Sequence, residues 1–431
     1  MKKKYNICII GLGYVGMPLA LEFSKKFKTY GFDIDKNRVN SLNNFSDNTL
    51  EISDAALKEN LEIDKKKFNK KKNGLFLTSY LDDIVDANFY IITVPTPVNK
   101  YNNPDLSYLI SASKLVASKL KYGDIIVYES TVYPGATEEE CIPVLEKHSN
   151  LIFNKDFFVG YSPERIVPGS NNKKLVDIVK ITSGSTDQSS EVIDLIYSSI
   201  INVGTFKAKS IKVAEAAKVI ENAQRDVNIS FVNEISKIFT LLNIDTNDVL
   251  EAAGTKWNFL NFKPGLVGGH CIGIDPFYLA QKAQEINFYP EMILTARRIN
   301  DSMSSFVASR IIKLMINNNV KIKDSKVLIL GVSFKENCTD IRNTKIVDLY
   351  NNLIDFGVKI DLFDPWVDPS DLKLEYNLKL LENLENKKYD AIVVAVPHSK
   401  FKNLNLDILK NKNCVVYDIK GFLKDKYDES L

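Results

Sequence analysis

An α/β fold, with two Rossmann-like domains joined by a central helical domain containing a long helix, follows from three features of the 431-residue sequence. Short apolar runs alternate with helix-like stretches near both ends of the chain. The first such run leads directly into a glycine-rich turn. A stretch without proline or glycine, residues 211–242, separates the two ends. Strands buried on both faces read as continuous apolar runs, which is the pattern of a parallel sheet covered by helices. The length suits two or three domains better than a single core.

The first strand is Ile7, Cys8, Ile9 and Ile10, and Gly11-Leu12-Gly13-Tyr14-Val15-Gly16 opens the first helix. Gly-x-Gly-x-x-Gly is a weak signal alone, but here it stands between a strand and a helix, as a dinucleotide site requires. Gly11 permits the tight turn, Gly13 lets the backbone approach a pyrophosphate, and Gly16 allows close helix–sheet packing. The helix start, which Tyr14 and Val15 lead into, offers unpaired N–H groups and a favourable dipole to phosphate. Residues 29–32 form the second strand. Asp33, at its end, stands where an acidic side chain accepts hydrogen bonds from the adenosine ribose, and its charge would repel a 2′-phosphate. NAD is therefore the expected cofactor. Arg38 nearby joins the candidate cofactor residues and argues the other way. A purely structural glycine turn is the competing reading. Residues 89–94 and 124–128 supply further strands.

The same order returns near the C-terminus. Residues 326–331 match the first strand, 360–364 the second, 391–397 echo 91–95, and 414–418 echo the fourth strand. In this copy Gly331 is followed by Val332, Ser333, Phe334 and Lys335, so the glycine fingerprint is gone. Something other than a dinucleotide pyrophosphate is expected there. The domains are read as 1–206, 207–305 and 306–431. Within 211–242, Val213, Ala217, Ile220, Ala223 and Val227 recur at helical steps. Such a helix either joins two copies of the chain through its apolar face or packs inside one subunit; a homodimer is the expectation.

Composition narrows the partners. A formal net charge of +2, with 26% charged and 45% hydrophobic residues, calls for neither nucleic acid nor an anionic membrane. The lysine runs at 65–67 and 70–72 read as a solvated surface. Five scattered cysteines form no Cys-x-x-Cys pair, and the three histidines do not cluster with them. Neither a disulfide framework nor a metal site is expected, and a reducing cytoplasm is the natural compartment. Lys2, Lys3 and Lys4 before an apolar stretch resemble a secretory signal, but the glycines that follow are better explained by nucleotide binding. No apolar run reaches transmembrane length.

The run from Lys263 to Pro276 carries Gly268-Gly269-His270-Cys271 and then Ile274-Asp275-Pro276. Paired glycines leave the backbone unshielded, so a substrate can approach the sulfur of Cys271. Asp275 is positioned to orient a water or to influence the thiolate. A dinucleotide fingerprint in the same chain suggests covalent chemistry coupled to hydride transfer. The bland reading is a buried free cysteine. His270 is read as a pocket or packing residue, because adjacent side chains point apart.

Together with Val94-Pro95-Thr96-Pro97, Ser130-Thr131-Val132, Ser162-Pro163-Glu164-Arg165 and Phe334-Lys335-Glu336-Asn337, these motifs resemble the UDP-glucose/GDP-mannose dehydrogenase family. The resemblance covers nearly the whole chain. It implies an NAD domain and a UDP-sugar domain around a central dimerisation domain, and oxidation of a sugar C6 alcohol to a carboxylate with two NAD. Alcohol to acid removes four electrons, so two hydrides leave one carbon. A thiolate can hold the intermediate aldehyde as a thiohemiacetal, whose oxidation gives a thioester that water cleaves. The resemblance assigns Cys271 as that nucleophile.

Lys218 and Asn222 are four apart and share a helix face. Read alone they are either a solvated face or an oxyanion site; the family match assigns them to the catalytic and sugar pocket. It also implies that Thr131, Glu164 and Asp275 position water and assist proton transfer. Thr96, Thr131 and Arg342 resemble cofactor contacts. Arg165 and Arg225 look like sugar or diphosphate contacts, since guanidinium matches phosphate geometry. Ile166, Gly268, Phe334, Lys335 and Lys420 resemble further substrate contacts.

Ile274 stands where the UDP-glucose branch has a lysine, and residues 130–137 look closest to the N-acetylglucosamine and galactosamine members, which serve surface polysaccharide synthesis. The arginine which the UDP-glucose branch has before its glycine motif is absent from residues 254–257. A UDP-N-acetylhexosamine is thus the expected substrate, UDP-N-acetylglucosamine first. UDP-N-acetylgalactosamine, UDP-N-acetylmannosamine and UDP-glucose are the alternatives. A β-hydroxyacid dehydrogenase and a non-enzymatic dinucleotide-binding regulator are rival classes; the former needs neither the cysteine nor a second Rossmann-like domain.

Overall fold

The computed structural model describes residues 4–49, 51–99, 103–165, 174–269, 272–423 and 426–431. The chain divides into two compact units. One comprises Met1–Glu221 with Phe277–Ile286, the other Asn222–Pro276 with Asn287–Leu431. Each unit has its own sheet.

The first unit is built on eight strands: β1 (Asn6–Ile10), β2 (Lys28–Phe32), β3 (Gly74–Thr78), β4 (Phe89–Ile92), β5 (Asp124–Tyr128), β6 (Phe157–Tyr161), β7 (Lys180–Gly184) and β8 (Thr205–Lys207). Their order is β3-β2-β1-β4-β5-β6-β7-β8. Strands β1 to β6 run parallel, and β7 turns antiparallel to β6. Strand order reverses between β1 and β4, and ligands bind at such switch points, beyond the carboxyl ends of the strands. Helix α1 (Gly16–Ser24) packs Met17, Leu19, Ala20 and Phe23 into the core with Ile7, Ile9, Phe89 and Ile91.

Helix α2 (Ile211–Leu242) spans 32 residues, over the range expected from its composition. Its buried side is unusually polar for an amphipathic helix, although Ile211, Ala214, Val219 and Val232 are buried as well. Glu215, Lys218, Asn222, Asp226, Ser230, Asn233 and Ser236 follow one another at steps of three and four and are all buried. Of the apolar positions that mark the helix in the sequence, Ala223 is buried, whereas Val213 and Ile220 are 48% and 54% exposed. Phe231, Ile238 and Leu242 continue the outward apolar face. Short helices follow: α3 (Asp275–Glu285), α4 (Glu291–Asp301) and α5 (Met303–Asn317).

The second unit's sheet holds β9 (Lys326–Leu330), β10 (Lys359–Phe363), β11 (Tyr389–Val394), β12 (Lys410–Asp418) and β13 (Glu429–Ser430) in the order β10-β9-β11-β12-β13, all parallel. Side chains alternate between its faces. Val327, Ile329, Ala391 and Val393 meet α5 and α6 (Lys345–Ile354), while Leu328, Leu330, Ile392 and Val394 meet Phe401 and Leu406.

The two sheets share one turn. Gly11 (φ +96°) and Gly331 (φ +91°) end β1 and β9. Each donates its N–H to the last residue of the neighbouring strand, Phe32 or Phe363, at 2.8 Å. Asp33 and Asp364 then accept from Leu12 and Val332 N–H, both at 2.7 Å. Beyond that the copies diverge: α1 begins at Gly16, whereas α6 begins only at Lys345. The second turn therefore has no helix start beside it. Among the described residues no helix is long and apolar enough to cross a membrane.

Candidate active site

In the first unit the β1–α1 turn fits a dinucleotide. A side chain at Gly13 would enter open space, with nothing within 4 Å. At Gly16 a Cβ would lie 1.8 Å from the Gly11 carbonyl oxygen, so only glycine lets the helix approach. Val15 caps α1 without a side-chain hydrogen bond, and no acidic residue occupies the first turn. The N–H groups there thus lack a side-chain acceptor and suit a diphosphate. Asp33 has one oxygen on Leu12 N–H and the other on Asp35 N–H at 2.9 Å, leaving lone pairs for ribose hydroxyls. Arg38 donates from Nε to the Leu12 carbonyl at 2.8 Å and pairs with buried Asp47 at 2.7 Å. It braces the turn. Burial works against the Asp47 charge, yet Thr49 and Arg38 hold its carboxyl below the usual range.

The loops after β4 and β5 are tied together. Thr96 donates its hydroxyl to the Thr131 carbonyl at 2.7 Å, and Ser130 donates to the Val94 carbonyl at 2.6 Å. Tyr278, fully buried, donates to the Thr96 carbonyl at 2.8 Å. Tyr278 follows Pro276 by two residues and is not among the site residues expected from the sequence. After β6, Arg165 binds Glu221 through two guanidinium nitrogens, Nε at 3.0 Å, and donates to the Val179 carbonyl at 2.9 Å. Its guanidinium is thus engaged within the chain. Glu164 has an oxygen 3.9 Å from Lys180 Nζ.

On α2, Glu215 accepts from Gly135 N–H at 2.6 Å and Thr137 N–H at 2.9 Å. One turn on, Lys218 is buried, with no hydrogen bond or ion pair to any of the described residues. An ammonium so presented can meet a developing oxyanion.

In the second unit, Asn222 donates to Asp275 at 2.5 Å, and both side chains are buried. Arg225 is exposed and unpaired among the described residues. The chain before Cys271 is anchored at three points. Asn233 pairs with Gly265, accepting its N–H at 2.8 Å and donating to its carbonyl at 3.1 Å. Lys420 donates to the Pro264 carbonyl at 3.0 Å, and Gly269 N–H reaches the Asn343 carbonyl at 3.1 Å. A Cβ at Gly268 would come within 2.5 Å of that same carbonyl oxygen. Ile166, His270 and Cys271 lie outside the described residues.

Gly268, Ser333, Phe334, Lys335, Lys345 and Lys420 line one cavity. Three lysines against one carboxylate, Glu336, on its wall suit an anionic ligand. Burial lowers the Lys420 ammonium from its ordinary value, and Lys345 is balanced by Asp301 and Asp348, each at 3.0 Å. No motif marks Lys345 in the sequence. Arg342 is paired with Asp340 at 2.6 Å. Asp364, the counterpart of Asp33, is closed off: buried His398 approaches it through Nε2 at 3.0 Å and accepts Asn337 N–H on Nδ1 at 2.9 Å. That accepted bond puts the ring proton on Nε2.

Three successive segments match models of one family. They are described as the UDP-glucose/GDP-mannose dehydrogenase family NAD binding domain (residues 5–201), central domain (212–302) and UDP binding domain (328–425). A UDP-N-acetyl-D-glucosamine 6-dehydrogenase of Salmonella typhi is 53% identical over 422 residues, covering 98% of this chain and 94% of its own length. Its Pseudomonas aeruginosa namesake is 49% identical over 433 residues, covering 100% of both. Among solved structures, a UDP-D-ManNAc dehydrogenase from Pyrococcus horikoshii aligns with a TM-score of 0.87 at 29% identity, over 99% of this chain and 98% of that one.

Burial pushes the Glu215 carboxyl up to about 7 from an ordinary 4.5, against the opposing pull of Thr137 and Gly135. A carboxyl raised by folding binds its proton more tightly in the folded state. The Glu215 contribution to stability is then fullest at low pH and is lost as pH rises toward 7. Glu215→Gln should flatten that fall, by about 1–3 kcal/mol between roughly pH 5 and 7. Urea unfolding across this range checks it; parallel pH profiles for the two proteins would contradict the assignment.

Proposed function

The chain belongs to the UDP-glucose/GDP-mannose dehydrogenase family, and on that footing we propose that it oxidises the C6 alcohol of UDP-N-acetylglucosamine to the carboxylate, with NAD as hydride acceptor. The observation that carries this reading is full-length similarity, at about half identity, to two UDP-N-acetyl-D-glucosamine 6-dehydrogenases. The glycine turn with its uncapped helix start, and the lysine-lined cavity beside Phe334, support a dinucleotide and an anionic nucleotide sugar.

In this reading NAD, when bound, takes a hydride from C6 in each of two oxidations. Loss of the first hydride and the hydroxyl proton leaves an aldehyde. The Cys271 thiolate adds to that carbon, and Lys218 with the amide of Asn222 stabilises the oxygen of the resulting thiohemiacetal. Loss of the second hydride gives a thioester. Water, oriented by Glu164, Thr131 and Asp275, displaces the thiolate and releases the carboxylate. The Asn222–Asp275 bond limits how far either side chain can turn. Arg225, Phe334, Lys335 and Lys420 then serve the sugar and its diphosphate. A reducing cytoplasm suits a nucleophile that must remain a thiol.

The working protein is a homodimer joined through the outward face of α2. Phe231, Ile238 and Leu242 stand at least 48% exposed on a helix whose polar face is turned inward, and an apolar stripe of that kind marks an interaction surface. Phe231→Glu should sediment as a monomer where the parent sediments as a dimer. A monomeric parent contradicts the assembly.

The activity is tested by incubating the protein with NAD and UDP-glucose, UDP-N-acetylglucosamine, UDP-N-acetylgalactosamine or UDP-N-acetylmannosamine. Two reduced cofactors per uronate are expected, with UDP-N-acetylglucosamine preferred over UDP-glucose by roughly ten- to two-hundred-fold. One reduced cofactor per sugar would indicate a two-electron enzyme, and preference for another sugar would overturn the substrate.

A further inference from the structure

We propose that Lys180 is a positioning residue for the oxidation, acting through Glu164; the proposal rests on the role given above to Glu164. Lys180 opens β7 and is 2% exposed. Its ammonium bonds Glu129 at 2.6 Å and the Pro163 carbonyl at 3.0 Å, and lies 3.9 Å from the Glu164 carboxylate. Glu129 directly follows β5 and stands two residues before Thr131. Pro163 and Glu164 follow β6. One cation thus joins the two loops that carry Thr131 and Glu164, two of the three candidate water-positioning groups.

Neighbouring contacts fix the same geometry. Ser162 donates to the Ile181 carbonyl at 2.6 Å, tying the start of the Glu164 loop to β7. Buried Tyr197 donates its hydroxyl to the second Glu129 oxygen at 2.5 Å, so both oxygens of that carboxylate are occupied. A buried ion pair is weak evidence for stability, because apolar side chains of similar volume do as well or better. What an ammonium at this point supplies, and a methyl group cannot, is direction: one acceptor from each of two loops bonds the same nitrogen, and the Glu164 carboxylate faces its charge. Displacing a reacting group by about 1 Å can cost roughly a hundredfold in rate.

Lys180→Met alone strands the Glu129 charge and can fail to fold. The informative variant is therefore Lys180→Met with Glu129→Gln, which removes both charges together. Steady-state kinetics would use NAD and whichever UDP-sugar the parent turns over fastest. We expect kcat to fall roughly tenfold or more while both KM values stay within about twofold, since no binding contact is removed. Glu164→Gln should lose at least as much, and adding the pair to Glu164→Gln should cost nothing further, because residues acting as a unit are not additive. A pair variant with the parent's kcat, or losses that multiply, overturns the proposal. Parent-like turnover by Glu164→Gln alone removes the role of Glu164, and the proposal with it.

Discussion

Glu215, Asn222, Asp226 and Asn233 are buried along one face of a single helix, and a polar group out of water has to find a hydrogen-bond partner. The partners of Glu215, Asn222 and Asn233 lie on segments that bear on the candidate chemistry. Glu215 holds the loop of Gly135 and Thr137, a few residues beyond Thr131. Asn222 holds Asp275, and Asn233 holds Gly265 at the head of the Cys271 run. Asp226 takes Arg297 at 2.5 Å and Asn300 at 2.7 Å, and Asn300 in turn accepts from Asn233 at 2.8 Å. Burial raises the Asp226 carboxyl, and the Arg297 charge offsets part of that rise. The helix thus serves less as a hydrophobic prop than as a row of fixed donors and acceptors from which surrounding loops take their register.

The same pattern of burial explains what the helix presents outward. With so many polar groups on its buried side, the helix leaves Val213, Ile220, Phe231, Ile238 and Leu242 exposed, and these are the groups for which water is the poorer environment. Internal support for the site and the exposed apolar face proposed to join two copies are therefore two consequences of one pattern.

Much of the fold was legible in the sequence because parallel strands buried on both faces are nearly continuous apolar runs. Residues 7–10, 89–92, 326–330 and 391–394 are all strands. The 211–242 helix was legible from its lack of breakers, but its orientation was not. Steps of three and four at Val213, Ala217 and Ile220 suggest a buried apolar face, and burial of the polar set wins over that pattern. The glycine turn and Asp33 carry a local signature, so they could be found. Lys180, Glu129 and Tyr197 are brought together by strand order across 51 and 68 residues of sequence, and no local spacing encodes such a contact. His398 on Asp364 is hidden for the same reason. It fills the edge of the carboxylate that, in the first unit, remains available to a ribose.

Similarity to relatives supports the reaction, and the geometry supplies reasons why these residues can serve it. The account stands or falls on a covalent acyl intermediate at Cys271. Mass spectrometry of Glu164→Gln, quenched in acid while turning over NAD and UDP-N-acetylglucosamine, tests this most directly, because the variant should slow release of the acid. The account predicts an acyl adduct on the peptide containing Cys271, removable by hydroxylamine as a thioester is. A variant that stalls with Cys271 unmodified, or that carries its adduct on another residue, would contradict it.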